Sequence, residues 1–132
     1  MKKILLSFFL TLSTLFAGYS APMQVSGSTV IDSKAAYDLY NMKVLFIDVR
    51  PYNMVRNQGK IKGALNLYEE DVTQERMSKI AKKERPMIIY CNGAGCSLSA
   101  EAIVKLVKWG YTNVYYYRDG YPAWQYYKLP VE

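Results

Sequence analysis

Three short runs of almost unbroken apolar residues set the architecture of this chain. Residues 44–49 (VLFIDV), 87–90 (MIIY) and 114–117 (VYYY) are rich in β-branched and aromatic side chains and lack the alternation of a half-exposed strand. Strands of that kind are covered on both faces, as in a parallel sheet. Around them the apolar positions fall at helical spacing. Asp32 or Ser33 can cap a helix carrying Ala35, Ala36, Leu39 and Tyr40, and residues 73–83 turn Met77, Ile80 and Ala81 inward behind a solvated charged face. Residues 99–109 put Ile103, Leu106 and Val107 on one face, with Gly110 placed as a left-handed terminator. Residues 28–31 make a short apolar start, residues 64–67 a weak strand, and residues 51–63, rich in turn formers, a loop. Strands alternating with helices predict an α/β fold: a mostly parallel central sheet covered by helices on both faces, with ligands beyond the carboxyl ends of the strands.

The first twenty residues read differently. Lys2 and Lys3 lead into an apolar run of fourteen residues, Ile4 to Ala17, that ends in small and turn-prone residues. This is the layout of a secretory signal, too short for the ~20 residues of a spanning helix. Residues 1–20 are therefore expected to be a signal peptide cut after Ser20. Residues 21–27 are then a short linker and residues 28–132 a single domain, exported to the bacterial periplasm with no membrane span after cleavage. With 51% hydrophobic and 21% charged residues the chain is of ordinary globular composition. Its formal charge of +6 is spread without a long basic run, a poor footprint for nucleic acid.

Composition also narrows the chemistry. There is no histidine, so Ser/His/Asp catalysis and imidazole shuttles are excluded, and two cysteines without a carboxylate cluster make a poor metal site. No metal or organic cofactor is expected. What remains is Cys91 and Cys96, in the order strand, cysteine, glycine-rich loop, serine, helix. Gly93 and Gly95 let the backbone curl so that successive amides point inward, and the following helix adds the positive end of its dipole. Such a concavity favours an anion, including a Cys91 thiolate with a pKa below the ~8.5 of a free cysteine. Asn92, Gly93, Ala94, Gly95, Cys96, Ser97 and Ser99 are the candidate anion-binding loop. The bland alternative is an inert disulfide in an exported protein.

Several separated segments resemble the rhodanese-like family of single-domain sulfurtransferases. FIDVR at residues 46–50 is similar to the family's Asp-Val-Arg strand end, and GKIKGALNL at 59–67 to its Gly-His-Ile-x-Gly-Ala-x-Asn segment. IIYCNGAGCSLSAEA resembles the active-site loop with its helix, and WGYTNVYYYRDGYPAW, residues 109–124, the closing stretch. The resemblance implies that Cys91 takes a sulfane sulfur from a small donor such as thiosulfate, holds it as a persulfide, and passes it to a thiol or to cyanide. This loop departs from the usual Cys-x-x-Gly-x-Arg-Ser pattern: it is two residues longer, and Leu98 stands where the arginine belongs. Thiosulfate affinity is then expected to be reduced unless Arg50 or Arg118 reaches inward. The segment CNGAGC is nearer to an exported subgroup with a Cys-Asn-Gly-x-x-Cys loop, in which Cys96 is a candidate resolving thiol or disulfide partner.

Two further readings stand beside the sulfurtransferase: a thiol–disulfide redox protein using the Cys91/Cys96 pair, and a non-catalytic rhodanese-fold binding module meeting an unknown protein partner through its tyrosines. Asp48 and Arg50 are supporting residues; Asp48 is expected to hold the site's floor, and Arg50 either supplies the missing charge or forms a surface pair with Asp48 or Glu69. Trp124 and most tyrosines after Gly110 are expected in the core.

Overall fold

A computed structural model describes residues 20–132, so the expected leader lies, apart from Ser20, outside the described residues. Chain order is β1 (Thr29–Val30), α1 (Ser33–Asn41), β2 (Leu45–Asp48), α2 (Tyr52–Gln58), β3 (Leu65–Asn66), a 3-10 turn (Glu69–Asp71), α3 (Gln74–Ile80), β4 (Met87–Tyr90), α4 (Leu98–Lys108), β5 (Val114–Tyr117) and α5 (Gly120–Tyr126). The strands form one parallel five-stranded sheet in the order β1-β5-β4-β2-β3. β4 lies at its centre, with Tyr90 in register with Asp48 on one side and Tyr117 on the other. The carboxyl ends of β2, β4 and β5 therefore open onto one place.

Alternation along β4 sorts the core into two layers, because successive strand side chains point to opposite faces. Met87 and Ile89 pack with Met77 of α3 and Ile103 and Leu106 of α4, whereas Ile88 and Tyr90 pack with Ala36 of α1 and Tyr121 and Trp124 of α5. All four β4 residues are buried, which is why the run shows no polar position. Trp124 is fully buried and donates its indole N–H to the Pro130 carbonyl at 2.8 Å, as an aromatic with a polar edge requires. Tyr116 and Tyr117 are core residues as expected, while Tyr126 and Tyr127 are exposed.

Several details differ from the pattern-based expectation, among them α3, which ends at Ile80 and not at residue 83. Residues 51–63 are not simply a loop: α2 occupies Tyr52–Gln58, but it buries only Val55, too little to leave a periodic signal. α5 is a further helix the pattern does not predict, since Gly120 and Pro122 read as turn formers; Pro122 lies in the first turn, where a missing N–H loses no intrahelical bond. α4 begins at Leu98, one residue before the expected Ser99. Finally, the segment read as a linker over residues 21–27 is fastened to the domain. Ala21 and Val25 are buried, the Ala21 amide donates to the Ala94 carbonyl at 2.6 Å, and the Tyr116 hydroxyl donates to the Pro22 carbonyl at 3.0 Å.

Candidate active site

β4 delivers Cys91 to the point where the sheet's carboxyl edge meets the amino end of α4. Its main chain is pinned from α5: the Tyr121 amide donates to the Cys91 carbonyl at 3.0 Å. This close approach needs Gly120, at φ +62°, because a Cβ there would fall on the Cys91 carbonyl oxygen and 2.8 Å from the Gly93 nitrogen. The loop turns at Gly93, also left-handed at φ +95°, where the Gly93 carbonyl accepts the Cys96 amide at 3.0 Å. Gly95 is not left-handed and has open space around it, so of the two loop glycines only Gly93 is required by the backbone.

The loop brings the two cysteines and Ser99 together. Both cysteines are free; Cys91 is buried at 1% exposure and Cys96 is partly exposed. The Cys91 sulfur lies 3.3 Å from the Cys96 carbonyl oxygen and 3.3 Å from Ser99 Oγ, and Ser99 is itself buried. Ser97 points elsewhere, donating to Glu101 at 3.1 Å. As the N-cap of α4 it makes no capping bond with its side chain.

The electrostatics separate the two thiols. A hydrogen bond shared with Cys96 and then burial push the Cys91 thiol well above its ordinary range, with the Ser99 hydroxyl opposing them. The other end of that hydrogen bond pulls Cys96 down to about 6, helped by the Asn92 and Leu98 amides and the charge of Arg50, against the effect of partial burial. Leu98 is the first residue of α4, so the Cys96 sulfur sits at a helix start, where unpaired N–H groups favour negative charge. Negative charge is therefore favoured on Cys96 over Cys91.

Neither arginine that was expected to reach inward points at the loop as a free cation. Arg50 is fully buried, not part of a surface pair: Nη2 meets Asp48 Oδ2 at 2.6 Å and the Gly59 carbonyl at 2.8 Å, Nε lies 3.0 Å from Asp48 Oδ1, and the guanidinium stacks 4.3 Å from the Tyr121 ring centroid. Burial opposes its charge, and Asp48 more than offsets that, so its pKa lies above the ordinary value. Asp48 thus holds Arg50, and the pair supports the floor between β2, α2 and α5. Arg118 is tied to the N-terminal segment, with Nη2 2.8 Å and Nε 3.2 Å from the Ala21 carbonyl. Glu69 pairs with Lys105 of α4 at 2.6 Å. Among the described residues no group of three or more His, Cys, Asp or Glu could hold a metal.

Sequence reasoning missed Ala21, Gly120 and Tyr121 and gave Arg118 a different role; these residues hold the loop and the segment docked on it. Only the Asp-Gly-Tyr turn after β5 carries a local signal, as a left-handed position beside a strand end.

Comparison with known proteins places this geometry. The family model of the rhodanese-like domain matches residues 32–126. Of the solved structures, a rhodanese-like domain from Anabaena sp. is 24% identical with a TM-score of 0.68, covering 80% of this chain and 79% of its own. A crystal structure of the rhodanese-like domain from the same Anabaena protein is 28% identical with a TM-score of 0.60, covering 67% of this chain and 98% of its own. The polysulfide-sulfur transferase homodimer of Wolinella succinogenes is 21% identical with a TM-score of 0.64, covering 80% and 79%. No curated protein matches. With its family model spanning most of the sequence and its sheet built in the same way, this chain belongs to the rhodanese-like domain family.

Proposed function

We propose that the protein is a rhodanese-type sulfurtransferase that takes a sulfane sulfur from a small anionic donor such as thiosulfate and carries it as a persulfide on Cys91 to a thiol or cyanide acceptor. The observation that carries this reading is the pair of free cysteines in the loop that follows β4, Cys91 buried beside Ser99 and Cys96 partly exposed next to the start of α4. The hydrogen bond with Cys91 and the Asn92 and Leu98 amides favour the thiolate of Cys96, the form that attacks sulfur. Buried Cys91, with Ser99 beside its sulfur, gives the persulfide a compartment away from water and adventitious thiols.

Incubating reduced protein with thiosulfate, desalting it and weighing it intact is the test. A species one sulfur heavier, discharged by cyanide with formation of thiocyanate, is the expected result; unchanged mass counts against the proposal. The contact between the two thiols favours a second reading, thiol–disulfide exchange through Cys91 and Cys96. It would appear as a mass two hydrogens lighter, reversible with dithiothreitol and indifferent to thiosulfate. The composition of residues 1–20 supports export to the periplasm, which amino-terminal sequencing of secreted material checks.

A further inference from the structure

The proposed chemistry needs one sulfur to meet the donor first, and the two cysteines are unequal to that task. Cys91 is 1% exposed, with its sulfur between the Cys96 carbonyl and Ser99 Oγ and its own carbonyl fixed by Tyr121. A donor carrying two negative charges would have to shed its water to reach it. Cys96 is partly exposed, stands at the start of α4, and borders the Cys91 sulfur through its own main chain at 3.3 Å.

We propose that Cys96 is the first acceptor of sulfane sulfur and that Cys91 receives it from Cys96, so that the longer loop is a two-thiol relay. This rests on the sulfurtransferase reading and adds the order of the two sulfurs. In the first step the Cys96 thiolate attacks the outer sulfur of thiosulfate; a bond forms between the two sulfurs, the bond to the sulfonate breaks, and sulfite leaves with the electron pair. In the second step Cys91 attacks the outer sulfur of the Cys96 persulfide. The Cys91–sulfur bond forms, the bond to Cys96 Sγ breaks, and the proton of Cys91 passes to Cys96. No oxidant or reductant is needed, because one sulfane sulfur is exchanged at constant oxidation state.

One feature favours attack on the outer sulfur over release of sulfide and closure of a disulfide: the thiolate of lower pKa leaves faster, and Cys96 is shifted down beside the Asn92 and Leu98 amides.

The test compares Cys91→Ser and Cys96→Ser with thiosulfate in rapid-quench intact mass measurements. Cys91→Ser is expected to take up one sulfur, and Cys96→Ser to take it up about tenfold more slowly than Cys91→Ser. Equal rates, or faster uptake by Cys96→Ser, would overturn the order. In the unmodified protein at neutral pH, a limiting amount of iodoacetamide followed by fragment sequencing is expected to find the label on Cys96; label on Cys91 would overturn the order even if a variant misfolds. If none of the proteins takes up sulfur, the sulfurtransferase reading fails while the alkylation result still decides which thiol reacts first.

Discussion

Replacing Arg50 by alanine probes the floor beneath the loop. The guanidinium meets the Asp48 carboxylate through Nε at 3.0 and 3.2 Å and through Nη2 at 2.6 Å, and it bonds the Gly59 carbonyl at 2.8 Å. Asp48 has no solvent exposure, and in Arg50→Ala it keeps the backbone N–H of residue 50, at 3.1 Å, and the Tyr90 hydroxyl but no cation. An uncompensated buried charge costs about 3–5 kcal/mol, against a total stability of roughly 5–15 kcal/mol for a domain. Urea unfolding followed by fluorescence of Trp124, which is fully buried, reads this loss directly. With a slope of about 1–3 kcal/mol per molar urea, the midpoint should fall by about 2 M. The double variant Asp48→Asn, Arg50→Met removes both charges and should recover most of the loss, since a buried ion pair and an uncharged pair of similar volume are often close in energy. A loss below about 1 kcal/mol in Arg50→Ala would refute the reasoning, because it would place the pair in effectively aqueous surroundings.

Other consequences are open to measurement. The rate of Cys96 alkylation should fall as pH drops through about 6 and level off above it, because its thiolate is the reactive form; a midpoint near the ~8.5 of an ordinary thiol would show that the amides and helix start do not hold the charge. Gly120→Ala should destabilise by about 2–4 kcal/mol, through a left-handed backbone and a Cβ driven onto the Cys91 carbonyl, and an unchanged melting temperature would contradict that close approach. Arg118→Ala removes the guanidinium that binds the Ala21 and Pro22 carbonyls and should cost about 1–2 kcal/mol. Its signature is faster hydrogen exchange over residues 21–25 with β4 unaffected; unchanged exchange would mean that Val25 and Tyr116 hold the segment unaided.

Elements with a strong period were legible in the chain itself. β4 and β5 appear with the expected ends, and α1 starts at the expected Asp32 cap, whose side chain accepts the Ala35 amide at 2.8 Å. α2 and α5 escaped because each is seven residues long and carries turn-forming residues. α2 is held by the Arg50–Gly59 bond at its end rather than by an apolar stripe, and α5 by Tyr121 and Trp124 meeting a sheet face that local sequence does not display.

The sequence by itself determined that a doubly covered parallel sheet would form and that a cysteine would stand at the carboxyl end of one of its strands. Burial on both faces leaves an unbroken apolar run, and a strand followed by glycines and a helix has few ways to turn. Tertiary structure alone decided how the charges are disposed. Arg50 goes to Asp48, Arg118 reaches across 97 residues to Ala21, and burial disfavours a charge on Cys91 while Cys96 is shifted the other way. Those outcomes depend on which amides, carboxylates and water surround each group, and that surrounding is assembled from segments far apart in the chain.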